Sequence, residues 1–249
     1  MRGRAPFVRN AASDRQARSA QRARLRRRQR ETAGERRARA CVIADLLARA
    51  YPEVRCPLVH ANAFELLIAV ILSAQCTDAA VNTVTPEFFR RLPTPKALSR
   101  ASTAEIESLI RTLGLFRAKA RSLKRCAEQL IREFGGAVPS TMHELTRLAG
   151  VGRKTANVVL GHAFATPAIA VDTHCKRVSR RLGLTRQLDP VKIEKDLADL
   201  LPPSEWTAFS HRLILHGRQI CYARKPACAR CPLCEVCPSS ETTCNPGIK

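Results

Sequence analysis

The sequence predicts an all-α protein, on three observations. Apolar residues recur at helical spacing: Phe64, Leu67, Ile68, Ile71 and Leu72 fall at i, i+3, i+4, i+7 and i+8. Helix-start signals recur along the chain, whereas no stretch alternates convincingly as a strand does. Aromatic residues make up only 4%, so the core rests on Leu, Ile, Val and Ala, a mix that favours helices over a β sandwich.

Residues 1–37 are Arg, Ala, Gln and Ser with almost no large apolar side chain, which reads as a solvated, disordered arm. Thr85-Pro86, Thr94-Pro95 and Asp189-Pro190 each place a capping residue before a proline at the first helical position. Ser102 to Glu105 and Thr141 to Glu144 match the capping box. These signals add up to about ten helices, with "AIAV" at 168–171 the one short extended candidate. "LIRTLGLFRAKA" (109–120) and "LTRLAGVGRKTA" (145–156) share Leu, Arg, Gly, Arg and Ala at the same offsets, and both read as helix, tight turn, helix.

The formal net charge is +22. Residues 1–40 hold 14 arginines and three acids, and the rest of the chain holds 29 bases and 18 acids, so the body is basic in its own right. A basic body points to a polyanion, most often nucleic acid. The longest apolar run, Leu66–Leu72, is too short to span a bilayer, and the charged start has no apolar core for a secretory signal. The expectation is a cytoplasmic, nucleoid-associated protein whose 11 cysteines are thiols or metal ligands.

"LAGVGRKTANVVL" (148–160) opens as a glycine-bracketed turn and runs into an apolar helix. Arg153 and Lys154 stand at the helix start, where unpaired N–H groups make a positive pole and acids are the favoured residues. Gly150 and Gly152 permit positive φ and close backbone approach, and such a turn aims several N–H groups at one spot, which suits a phosphate. Lys154 then has two readings. It is a second phosphate-binding cation, or it is a nucleophile. A free lysine titrates near about 10.4, and attack requires the neutral amine, which a helix N-terminus and a neighbouring arginine both favour. Asp172, in "VDTHCKRV", precedes a helical stretch and reads as an N-cap.

"CYARKPACARCPLCEVC" packs five cysteines into 17 residues. Cys221, Cys228, Cys231 and Cys237 are spaced C-x6-C-x2-C-x5-C, close enough to wrap one tetrahedral centre, either zinc or an iron–sulfur cluster. Cys234 offers a second register. Arg224 and Lys225 lie in the first loop, where a metal-pinned backbone would present them to phosphates.

The hairpin segment followed by "AVDTHCKRV" strongly resembles the helix–hairpin–helix glycosylases related to endonuclease III. The resemblance extends through "FELLIAVILSAQCTD", "LGLFRAKA" and "LILHGRQICYARKPAC", covering about residues 40 to 240. It implies a two-lobed all-α fold: a helical lobe over 57–166 carrying the hairpin, and a second lobe joining 38–56 to 167–240, with a tail at 241–249. It implies a monomeric DNA glycosylase and AP lyase of base excision repair that removes oxidised pyrimidines from duplex DNA. By position, Lys154 matches the nucleophile and Asp172 the aspartate that supports base loss. Gly150, Gly152 and Arg153 match the phosphate-binding hairpin. The four cysteines match the ligands of a [4Fe–4S] cluster. Base access requires nucleotide flipping, and Gln75 matches the gap-filling glutamine while Leu115 matches an apolar wedge. Read locally, Gln75 is a polar helix terminus and Leu115 is core. One departure is Ala149, where the family's hairpin carries proline. Two alternatives stand: the adenine-specific branch of the superfamily, which generally lacks the hairpin lysine, and a non-catalytic metal-stabilised DNA-binding module.

Overall fold

The computed structural model describes residues 31–240. Among the described residues there are eleven α-helices, one 3₁₀ turn and no strand; the stretch 168–171 is irregular. The first helix, α1 (Ala33–Ala50), begins inside the segment expected to be a solvated arm. A reciprocal capping box starts it. The Glu35 N–H donates to the Thr32 hydroxyl at 3.2 Å, and the Thr32 N–H donates to the Glu35 carboxylate at 2.8 Å. The rest of the expected arm, residues 1–30, lies outside the described residues.

The chain forms two compact units, Arg55–Ala170 and the pair of segments Met1–Val54 and Val171–Lys249. In the first, α2 (Ala63–Leu72) is buried on every side: Phe64 and all residues from Leu66 to Leu72 are in the core, as expected of a helix apolar all round. Around it pack α3 (Asp78–Arg91), α6 (Phe116–Phe134) and α8 (Arg153–Ala163), with α4 (Pro95–Arg100), α5 (Thr103–Leu109) and α7 (Met142–Arg147) completing the layer. Thr94 and Ser102 cap α4 and α5, and Thr141 caps α7. The Glu halves of the two boxes do other work: Glu105 accepts from Arg91, and Glu144 accepts from the Thr141 hydroxyl.

Thr85-Pro86 does not start a helix. Pro86 lies inside α3, which begins at a Thr77 cap. Val81, Thr85 and Phe88 are buried on one side, and this packing carries the helix through the missing N–H. The carbonyl at Asn82 loses its intrahelical donor there, while the Asn82 side chain ties the helix to Pro57 and Val59.

The second unit holds α1, α9 (Thr173–Arg181), α10 (Pro190–Ala198) and α11 (Pro203–Gln219). Asp189 caps α10 ahead of Pro190, as the sequence predicts. Helix α11 packs against α9, α1 and α10. Its Gly217 lets α9 come close: a Cβ there would stand 2.9 Å from the His174 Cβ.

The hairpin between α7 and α8 turns on Gly150, at φ +81°. A Cβ on Gly150 would sit 3.0 Å from the Ser122 Cβ and 3.2 Å from Ile71. Gly152 differs. Its φ is −93°, a conformation open to any residue, and a Cβ there meets nothing within 4 Å. Gly150→Ala is therefore expected to destabilise the protein by about 2–4 kcal/mol, through left-handed strain plus overpacking. Gly152→Ala is expected to cost no more than about 1 kcal/mol, the loss of a preferred N-cap residue without strain or overpacking. Urea unfolding of the two variants checks the contrast, and equal losses would refute it.

Candidate active site

Helix α8 starts at an unusual pole. Its N-cap, Gly152, makes no side-chain cap bond, and its first turn contains no acid. Gly152, Arg153 and Lys154 are all exposed. The first N–H groups of a helix have no intrahelical acceptor, so the site is an outward-facing positive end with two cationic side chains on it. The structure thus brings Gly150, Gly152, Arg153 and Lys154 together in one turn.

The turn is held from behind by α6. The Gln129 amide accepts from the Ala149 N–H at 2.7 Å and donates to the Arg147 carbonyl at 3.1 Å. Arg147 also pairs with Glu133 at 3.0 Å. Ser122, Gln129 and Glu133 are spaced by seven and four residues, one face of a helix. Ala149, the departure from the family's proline, supplies an N–H that a proline lacks, and Gln129 takes it. Val151 tucks into the core, 7% exposed, and Asn157 in α8 donates to the Ile169 carbonyl at 2.9 Å.

Four non-glycine residues among those described have positive φ: Gln75 (56°), Leu115 (60°), Ala165 (50°) and Lys225 (51°). Three of these are residues the sequence singles out. Such backbone strain persists only where the surroundings enforce it, and it clusters at functional sites. Gln75 lies beyond the end of α2 and is exposed. Leu115 is the N-cap of α6 and is 58% exposed, so it is not core. The two turns meet through Cys76 and Lys119. The Lys119 amine donates to the Cys76 sulfur at 2.9 Å, and a Cβ on Gly114 would touch that sulfur at 3.9 Å.

Asp172, in the other unit, caps α9: its Oδ1 accepts from the Cys175 N–H at 2.7 Å. Burial pushes the Cys175 thiol up, and the Asp172 charge adds to the effect, so this cysteine stays a protonated core residue. His174 and Arg177 follow on the same helix. The Arg177 guanidinium lies 3.1 Å from the His174 ring, and it donates to the Gly217 carbonyl at 2.8 Å and to the Cys221 carbonyl at 3.1 Å. One arginine thus joins the Asp172 helix to the first cysteine of the C-terminal loop.

That loop surrounds a cavity of about 210 Å³ lined by Cys221, Cys228, Cys231, Cys234 and Cys237, together with His216 and Arg181. Cys234 is disulfide-bonded, against the expectation that every cysteine is a thiol or ligand. The four free thiols on the cavity are therefore those of the C-x6-C-x2-C-x5-C register. Burial pushes the Cys231 thiol up to about 12, a backbone bond at Leu233 offsets part of this, and the charges of Cys237, Cys221 and Cys228 push the same way as burial.

Hydrogen-bond donors surround the sulfurs. Arg181 donates to Cys221 Sγ at 3.3 Å and holds the Tyr222 and Ala223 carbonyls at 2.6 and 2.9 Å. Burial lowers His216 to about 4, so its ring is neutral, and Tyr51 lies 3.1 Å from Nδ1. With the tyrosine hydroxyl donating there, Nε2 carries the proton and faces Cys231 Sγ at 3.5 Å. Arg224 and Lys225 stand exposed on the loop that Arg181 anchors. Among the described residues no three His, Cys, Asp or Glu side chains converge as a single-ion site. The donor set is all sulfur, which suits either zinc or an iron–sulfur cluster.

Sequence reasoning missed Gln129, Lys119, Arg177, Arg181, His216 and Tyr51 as parts of these sites. Each acts through backbone carbonyls, amides, sulfur or, for Tyr51, the His216 ring, and only "LILHGRQIC", which puts His216 five residues before Cys221, offered a local signal.

A family model for HhH-GPD superfamily base excision DNA repair proteins matches residues 68–203. Endonuclease III of Synechocystis sp. is 49% identical over 184 residues, which is 74% of this chain and 84% of that protein. Endonuclease III of Bacillus subtilis is 46% identical, over 71% of this chain and 81% of that one. Among solved structures, a trapped endonuclease III–DNA covalent intermediate superposes with a TM-score of 0.79 at 46% identity, covering 82% of this chain and 97% of that chain. The chain belongs to the endonuclease III family of the HhH-GPD superfamily of base excision DNA repair proteins.

Proposed function

We propose that the protein is a bifunctional DNA glycosylase and AP lyase that excises oxidised pyrimidines from duplex DNA and cuts the resulting abasic site through Lys154. One observation carries the reading: α8 opens without a cap or an acid, with an exposed lysine on its positive pole. A helix start built this way attracts a phosphate and presents an amine beside it. The trapped covalent complex of the related endonuclease III is consistent with that chemistry.

The steps follow from the groups present. Gly150, Gly152 and Arg153 bind the backbone phosphate. The damaged nucleotide leaves the stack, and Gln75 and Leu115 fill the space. The neutral Lys154 amine attacks C1′; the C1′–N bond breaks and the base departs with its electron pair and takes up a proton. The lysine nitrogen gives up a proton, the C1′–O4′ bond breaks and O4′ is protonated, and the ring-opened iminium that results acidifies the C2′ proton. Its removal and the breaking of the C3′–O bond cut the strand, and water then releases the lysine. Asp172, a carboxylate with Oδ1 committed to its helix cap, supports base loss and proton transfer. The C-terminal cysteines would hold a [4Fe–4S] cluster that pins the loop bearing Arg224 and Lys225 against phosphates; the cluster supplies structure and the lysine chemistry proceeds without it. An enzyme of this kind works as a monomer on chromosomal DNA in the bacterial cytoplasm.

Borohydride should trap the protein covalently on abasic duplex DNA, and Lys154→Ala should abolish the adduct. No adduct with the parent leaves only a DNA-binding module, and an undiminished one with the variant removes Lys154 as the nucleophile. Replacing Arg224 and Lys225 by Ala should weaken DNA binding and reduce the slope of log K against log salt by up to about two phosphate contacts; an unchanged slope removes that loop from the interface. The purified protein should be yellow-brown with about four irons per chain. A colourless, zinc-loaded protein would overturn the cluster.

A further inference from the structure

Lys119 lies outside the chemistry just described, yet it is among the most buried charged residues, 5% exposed. A buried ammonium is costly unless partnered, and it has three donors and no acceptor. Its side chain donates to Cys76 Sγ at 2.9 Å, while its backbone N–H donates to the Leu115 carbonyl at 3.0 Å. Cys76 in turn donates its N–H to Ser73, the C-cap of α2, at 3.0 Å, and follows Gln75 directly. One lysine therefore reaches both turns: its main chain holds the Leu115 turn and its amine holds the Gln75 turn. Those two turns carry two of the four positive-φ residues among those described that are not glycine, and a strained backbone stays in place only when neighbours over-determine it.

We propose that the Lys119–Cys76 pair is a brace that sets the Gln75 and Leu115 turns at the separation needed to enter the duplex together. Both are positioning residues. The lysine amine is enclosed and engaged by sulfur, so it is not a second nucleophile. The proposal rests on the reading of Gln75 and Leu115 as gap-filling residues, and it makes the brace matter only where there is a gap to fill.

The test compares kcat/KM for cleavage of an abasic site in duplex DNA and in a single-stranded oligonucleotide, using the full-length cluster-loaded protein. Lys119→Met keeps the apolar stem and removes the N–H···S contact, and Cys76→Ala removes the acceptor. Each should lower the duplex-to-single-strand ratio by about tenfold or more. Cys76→Ser, which keeps an acceptor, should retain the parental ratio. Partial misfolding scales both substrates alike and cancels in the ratio. If Leu115→Ala lowers the ratio while Lys119→Met and Cys76→Ala leave it unchanged, the brace is wrong and the gap-filling reading survives. If Leu115→Ala also leaves it unchanged, the gap-filling reading fails and takes the brace with it.

Discussion

Gly150 presses its backbone against Ser122 and Ile71 at distances that leave no space for a side chain, and the position of the α8 pole depends on that contact. Ile71 belongs to the fully buried helix α2 and Ser122 to α6. The turn is therefore seated on the buried helix α2 and on α6, the longest helix of its unit. Hydrophobic burial around α2 makes that seat rigid, and the left-handed φ of Gly150 lets the chain reverse over it without strain. The polar contacts then act in one direction only. Gln129 and Glu133 draw the Arg147–Ala149 segment onto α6, while Arg153 and Lys154 are left facing outward.

Electrostatics explains why the pole stays open. An Asp or Ser at position 152 would cap α8 with its side chain and stabilise it by roughly a few tenths of a kcal/mol relative to glycine. The chain instead places a glycine there with open space over it and two cations after it. This arrangement forgoes local stability, and local rules of that kind are broken at functional sites. Four other helices of the same unit take the opposite choice, capped by the side chains of Thr77, Thr94, Ser102 and Thr141, while α6, which starts at Leu115, also opens without a side-chain cap or an acid.

Features with a local cause were legible in the sequence. The apolar period of α2, the caps at Thr94, Asp189, Ser102 and Thr141, the helix–turn–helix form of 145–156 and the cysteine spacing all depend on residues a few positions apart. The Pro86 reading failed because burial of Val81 and Phe88 outweighed a local start signal, a tertiary effect that propensity does not contain. The two glycines of the hairpin look equivalent in sequence, and only packing separates the one that must be glycine from the one that leaves space open. Lys119 carries no local signal, since nothing nearby in the sequence shows that its amine turns inward to a cysteine 43 residues away.

The C-terminal loop poses the same problem without helices to solve it. From Cys221 to Ser240 the only regular structure is the 3₁₀ turn at Cys228–Arg230, so few backbone bonds oppose the entropy of ordering it. Four thiols share one cavity, and ionising them there is unfavourable: burial pushes the Cys231 thiol up, and the charges of the neighbouring cysteines add to the effect. Arg181 and the neutral His216 ring answer part of that repulsion by donating toward sulfur, and Arg181 fixes two loop carbonyls at the same time. A polycationic centre bound by all four sulfurs would turn the repulsion into coordination and order the loop. Such a centre would place the strained Lys225 backbone and the cations of the loop through metal–thiolate bonding, as hydrophobic packing places Arg153 and Lys154.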